Sequence, residues 1–418
     1  HYSLIDQHLA RQQYAEADSI VSKYKKKYGQ RNSVLYSFDR AMTLHLAGRY
    51  EESNMYLEKA EIKIDKLFTK SITSEAGAML TNNNLLPYEG EDFEKVMINV
   101  FAALNYVFLG KWDDALVEAR KVDHKLNVYN DKYDDKNVYK EDAYARYLTG
   151  ILYEAKKELN DAFIAYRKAF DIYKEYSKNY GTPMPPTLPQ DLLRTSKALG
   201  MTKEHNGFRK KFPNVKWISQ KEFDKQGELI FFSYNGRSPV KEDYFITVPV
   251  YEKKKKTSFF RMALPEFKRL RNNIAYTNVV LSGPVKAPIS QEAFLVEDIT
   301  AIAKKNLKDR IVRITAKATA RATSKYLLSR KFKKNAENNP FLTILADLYP
   351  FVSEQSDKRS WRTLPDKINM ARVAVPPGPY TVAVEYYSAG RNLLHRKEYR
   401  VTINSGEKKF IGYRFLGQ

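Results

Sequence analysis

Two hydrophobic rhythms divide the chain. Over about the first 180 residues apolar side chains recur every third or fourth position, the spacing that gives a helix one buried face. Beyond about residue 226 the period falls to two, as in Asp243–Val250 and Tyr380–Tyr387, the mark of strands. Between them lie Pro183, Pro185, Pro186 and Pro189, which cannot continue a helix. A short helix over 190–200 and a basic connector over 203–216 follow, so the boundary falls between 181 and 225. The later pattern predicts strands over 228–233, 243–250, 257–264, 277–281 and 292–298, then a long helix over 300–333. Four more strands follow over 368–375, 380–387, 393–403 and 408–415. The expected architecture is multidomain. An all-α helical repeat array spans 1–180, and a Pro-rich, basic linker with a short helix spans 181–225. A basic α+β domain spans 226–350, and a small antiparallel β module spans 351–418.

The helical part repeats itself. One copy runs Ala41, Gly48, Tyr50, Ser53, Leu57, Ala60, and the next Ala103, Gly110, Trp112, Ala115, Ala119, Val122. A third runs Gly150, Tyr153, Leu159, Ala162, Tyr166, Ala169, and Tyr14, Ala17, Val21 and Tyr24 form a partial first copy. Small residues at 41, 103 and 150 let paired helices approach. Gly48 and Gly110 end one helix and turn the chain into the next. This pattern resembles the tetratricopeptide repeat over about residues 1–175, with irregular spacing and insertions near 61–92 and 126–140. The resemblance places Leu35, Phe38, Met42, Phe101, Leu104, Phe108, Tyr144, Tyr147 and Ile151 on a concave groove. So apolar a set suits an amphipathic helix or peptide, or else packs against the insert or the chain's own C-terminal region.

Composition restricts the chemistry more than the fold. Among 418 residues there is no Cys, which excludes disulfides, thiolate metal sites and cysteine nucleophiles. The six His are too scattered to suggest a metal cluster, and neither a metal nor a cofactor is expected. No apolar run approaches the ~18 residues of a membrane-spanning helix. Phosphate-binding glycine loops, the G-x-S-x-G elbow and H-E-x-x-H are all missing from the sequence. Charge is uneven: residues 1–200 hold 29 basic and 29 acidic side chains, so the whole net charge of +22 lies in the second half. Such asymmetry points to different partners for the two halves.

Two charged clusters stand out. Arg313, Lys317, Arg321 and Lys325 recur every four residues and form one cationic stripe on the long helix. That stripe suits acidic partners within the fold, or an anionic lipid or glycan surface. Glu89, Glu91, Asp92 and Glu94 precede and open the helix that runs to Leu109. Acids there complement the helix dipole; as paired carboxylates they are also the one candidate for glycan chemistry. Lys253–Lys256 reads as a solvated hairpin tip, Asp131–Asp135 as a solvated linker, and Trp361 as a buried staple between the long helix and the β module.

Three stretches together resemble an uncharacterised family of bacterial envelope lipoproteins with tetratricopeptide repeats. They are Pro87–Lys95, Asp114–Asp123, and Ser360–Pro365 with Pro376–Gly378. The resemblance implies a lipobox cysteine and neighbours similar to the curli-secretion-channel lipoproteins, with no established activity. This chain carries neither a cysteine nor a signal peptide, as a mature chain beginning just after a processed N-terminus would. The expectation is a non-enzymatic periplasmic scaffold anchored to the outer membrane. Its repeat half would bind a protein, such as a curli-secretion-channel-like lipoprotein or another copy. Its basic half would meet an anionic surface or larger assembly. A glycan-acting enzyme or activator using residues 89–94 is the alternative, and nucleic-acid binding ranks third.

Overall fold

The computed structural model describes residues 2–73, 86–132, 139, 141–250, 258–311, 315 and 356–417. Three hairpins follow the repeat pattern. They are Ser33–Leu46 with Tyr50–Thr73, Asp92–Phe108 with Trp112–Lys132, and Ala143–Ala155 with Leu159–Tyr180. Tyr2–Ala10 and Tyr14–Lys23 form a shorter pair ahead of them, and each helix packs on its sequence neighbour. Gly48 and Gly110 turn the first two hairpins at φ +76° and +72°, where a side chain would be strained. The third hairpin makes the same turn with Lys157 at φ +65°. Gly150 answers a different need: a Cβ there would lie 2.5 Å from the Tyr166 ring, so its absence lets the two helices touch.

The stretch expected to be a linker is folded onto the array. Pro189 sits in the first turn of the helix Leu188–Ala198, where its missing N–H has no partner to lose. That helix packs on Leu159–Tyr180, and Thr202–Lys211 packs on it in turn. Leu192 and Leu193 are fully buried, which a solvated linker could not achieve.

The second half forms two four-stranded sheets and a separate hairpin. The strands are β1 (Gly227–Asn235), β2 (Val240–Val250), β3 (Ser258–Lys268), β4 (Tyr276–Ser282) and β5 (Ile289–Glu292). They continue with β6 (Phe294–Asp298), β7 (Lys367–Val375), β8 (Gly378–Tyr387), β9 (Leu393–Ile403) and β10 (Lys408–Phe415). One sheet has the order β10-β1-β7-β6, the other β5-β4-β8-β9, while β2 and β3 pair with each other. All the pairings are antiparallel except β1 with β10. The expected division at residue 350 therefore fails: β1 lies between β7 and β10, and β4 pairs with β8, so 226–350 and 351–418 share both sheets. A helix over 299–311 follows β6. Apart from residue 315, the rest of the expected helix over 300–333 lies outside the described residues. No helix among the described residues is long and apolar enough to cross a membrane.

Strand alternation sorts the core into two layers. Leu229, Phe231, Val373, Val375 and Ile411 pack against Val279, Val382 and Val384 between the sheets. Ile230, Phe232, Tyr234, Ile368 and Met370 face the opposite way, into the helical array. β1 is buried along its whole length because both its faces are covered.

Candidate functional site: the seam between helices and sheet

The groove that the repeat pattern predicts is occupied by the chain's own second half. Leu35, Phe38, Met42, Phe101, Leu104, Tyr144, Tyr147 and Ile151 are all buried, in one apolar cluster with β1, β7 and Trp361. Trp361 stacks on Phe38 with centroids 4.2 Å apart, and Phe101 touches both Trp361 and Tyr234. Trp361 is buried, and among the described residues its ring contacts are with Phe38 and Phe101 of the helical array. Phe108 is half-buried and stacks on Tyr50 at 4.9 Å. Among the described residues this apolar face is therefore core, not a surface open to a peptide.

The acidic cluster is built into the same seam. Glu91 and Glu94 form a reciprocal capping box at the start of Asp92–Phe108. Glu94 accepts from the Tyr88 hydroxyl at 2.5 Å, the Glu91 N–H at 2.9 Å and the Trp361 N–H at 2.6 Å. Burial, with the Glu91 charge behind it, pushes the Glu94 carboxyl up to about 7. Burial acts on Glu91 in the same sense, yet ion pairs to Lys241 on β2 and to Arg310 outweigh it and hold that carboxyl well below the usual range. Asp92 lies 3.5 Å from Lys95. Both Asp92 and Glu94 are fully buried, Glu94 against Trp361, so a glycan chain has no approach to the pair. Glu89 is partly exposed outside this set.

Toward the other end, six charged side chains meet that the sequence reading had not brought together. Glu154, Asp191 and Arg194 come from the helices; Glu228, Arg372 and Lys408 come from β1, β7 and β10. All six are buried. Arg372 reaches Asp191 at 2.5 Å and Glu228 at 2.8 Å, Arg194 reaches Asp191 at 2.7 Å, and Lys408 reaches Glu154 at 2.9 Å. Arg194 also pairs with Glu154, and Lys408 with Glu228. Tyr147 and Tyr166 donate to Asp191 and Glu154 at 2.8 and 3.0 Å. Three cations offset three carboxylates. Although burial opposes it, Arg194 and Lys408 hold the Glu154 carboxyl well below its ordinary value. The sequence signal was an ionic residue on the inward face of an alternating strand, as Arg372 is between Met370 and Ala374.

The cationic stripe Arg313, Lys317, Arg321 and Lys325 lies outside the described residues, as does the run Lys253–Lys256. No group of three His, Asp or Glu among the described residues is placed to hold a metal.

The fold therefore defines a helical-hairpin array with one apolar face covered by a two-sheet module. No family model matches the chain, and no curated protein sequence is significantly similar to it. Among solved structures, BtubC (BKLC) from P. vanneervenii aligns over 51% of this chain and 76% of its own, at 14% identity and a TM-score of 0.35. The Rap conjugation gene regulator of the plasmid pLS20, solved with the Phr* peptide, aligns over 50% and 53%, at 13% identity and 0.30. Neither likeness is close enough to carry a function across.

Proposed function

We propose that the protein is a non-enzymatic scaffold of the bacterial cell envelope whose partners meet the sheet half rather than the helical groove. The observation that carries this reading is the seam: the apolar face that suits a peptide is filled by the chain itself. The buried carboxylates there are engaged in caps and ion pairs. Contact surface remains on the second half, which holds the whole net positive charge. There the β2–β3 hairpin stands outside both sheets and exposes Tyr244 and Phe245. A periplasmic, outer-membrane-anchored location and a curli-secretion-channel-like partner rest on the sequence resemblance.

A photo-crosslinking residue placed at Tyr244 in the full chain, in cells that make the protein naturally, tests this reading. A discrete protein adduct from 244, with none from Leu104, is expected; adducts from 104 alone would return the partner to the groove. Sedimentation with phosphatidylglycerol vesicles at low and high salt tests the surface role. Binding should fade as salt rises, and no binding at either salt would remove the anionic surface from the proposal.

A further inference from the structure

A cationic surface covers the stretch 203–216, which the sequence presents as a basic connector. Residues 203–225 hold seven Lys or Arg against three acids. Two of those acids are engaged within the fold. Glu222 accepts from the Ser219 N–H at 2.9 Å and from its hydroxyl at 2.7 Å, and Asp224 faces Lys157 at 3.8 Å. Lys203, Arg209, Lys210 and Lys216 are all exposed, and none makes an ion pair or hydrogen bond among the described residues.

The fold gathers these cations on one side. The helix Thr202–Lys211 buries His205 and Phe208 and packs on the helix Leu188–Ala198. Lys203 and Lys210 are about two turns apart and share the face opposite that buried pair. Asn206 and Gly207 lie between them, and Arg209 flanks the face. Phe212 then packs edge-on to Phe170, with centroids 5.7 Å apart, and the chain doubles back, so that Trp217 lies edge-on to His205 at 5.4 Å.

Two apolar side chains accompany the charge. Ile218 is 37% exposed, and Trp217 is half-buried with no acceptor for its indole N–H among the described residues. Cations around a Trp that has one side packed and its N–H left wet suit the boundary between lipid headgroups and acyl chains. Nucleic acid asks for rings open to base stacking, whereas Trp217 is packed against His205.

We propose that this surface docks the protein on an anionic lipid bilayer. Lys203, Arg209, Lys210 and Lys216 would lie over the headgroups, and Trp217 and Ile218 would reach the acyl boundary. This rests on the anionic-surface part of the function proposed above and assigns it to the helix Thr202–Lys211 and the segment after it.

Sedimentation of the full chain with vesicles of phosphatidylglycerol and phosphatidylcholine at low salt tests it. Each Lys or Arg near an anionic surface contributes about fivefold in binding. The triple substitution Lys203→Gln, Arg209→Gln, Lys210→Gln should therefore weaken partitioning by about a hundredfold. All three positions are exposed, so the variant should fold as the parent does. Brominated lipid should quench tryptophan fluorescence in the parent and not in Trp217→Phe. A quench that survives that substitution would come from Trp112 or Trp361 and overturn the assignment. Vesicle binding unchanged in the triple variant overturns this site and leaves the anionic-surface role to the rest of the second half; no vesicle binding by the parent ends both. Binding to a single-stranded oligonucleotide more tightly than to vesicles, weakened by the same triple variant, would make the patch a nucleic-acid site and overturn the bilayer.

Discussion

Near Glu154 the helices and the sheet meet through six alternating charges; near Trp361 they meet through stacked rings. Both ends bury polar groups, but they neutralise them differently. At the charged end each carboxylate faces a cation. At the aromatic end Asp39 accepts from the hydroxyls of Tyr2, Tyr28 and Thr363, all at 2.8 Å, and Glu94 from a hydroxyl and two backbone N–H groups. A buried ion network is weak evidence for net stability, since apolar residues of the same shape often serve as well. Here the charges do fix alignment: a one-residue slip of β10 would turn Lys408 toward the other sheet, away from Glu154 and Glu228. The rings at the other end are less particular about register, so they supply burial while the charges supply uniqueness.

The largest expected effect comes from breaking the charged end. Arg372→Met leaves Asp191 and Glu228 buried with one cation each instead of two, and should cost about 3–5 kcal/mol in urea unfolding. A loss below about 1 kcal/mol would mean that the network adapts and that the two ends do not differ in kind.

The next effect separates the ends by pH. The Glu94 carboxyl is raised from 4.5 to about 7 in the folded chain, chiefly by burial. A raised carboxyl gives stability that is full below its unfolded value and is lost as pH climbs through the folded one. Burial likewise brings Asp39 up to about 6. Glu154 is shifted the other way, so its contribution is present above the unfolded value and is lost as pH falls. Between pH 5 and pH 8 the aromatic end should therefore lose stability, by up to about 3 kcal/mol from Glu94. Glu94→Gln should flatten that slope while costing about 1–2 kcal/mol, because its amide faces a donor. An unchanged slope would assign the pH response to other groups.

A smaller change probes the rings. Phe38→Leu keeps the site apolar and removes the stack on Trp361, so a loss of about 0.5–1.5 kcal/mol is expected beyond the change in buried area. Parity with Arg372→Met would erase the contrast between the ends.

The hairpins were legible because their signals are local. Gly48 and Gly110 sit where a turn demands positive φ, and Gly150 sits where two helices touch. The later strands were legible from alternation, but their partners were not. β1 pairs with β7 and β10, more than 130 residues away, and nothing in Leu229–Phe232 says which strands will flank it. A continuous apolar run such as Leu229–Phe232 is what burial on both faces requires, and a reading by alternation alone passes over it. The residues read as a groove lie buried in one cluster, with Phe108 at its edge. What occupied that face was a tertiary fact, set by Trp361 and β1 arriving from the far end of the chain. The capping role of Glu91 and Glu94 was readable from spacing, whereas the ion pairs from Lys241 and Arg310 were not.

The smallest effect has the opposite sign and tests how far the charged end extends. Lys157 turns the third hairpin at φ +65°, where the other two copies use glycine. A non-glycine residue there costs roughly 1–2 kcal/mol, and glycine returns part of that as extra freedom of the unfolded chain. Lys157→Gly should therefore stabilise the protein by about 0.5–1 kcal/mol on backbone grounds. Against that stand the Lys157 contacts with the Gly406 carbonyl at 3.2 Å and Asp224 at 3.8 Å, which bridge the helical turn to the β9–β10 turn at the surface. Exposed contacts of this kind contribute little, so the backbone should win. A raised urea midpoint would confine the ionic alignment to the buried six. A lowered midpoint, with the deficit shrinking as salt rises, would show that the alignment continues out to Asp224 at the surface and that Lys157 is kept for the contact rather than for the turn.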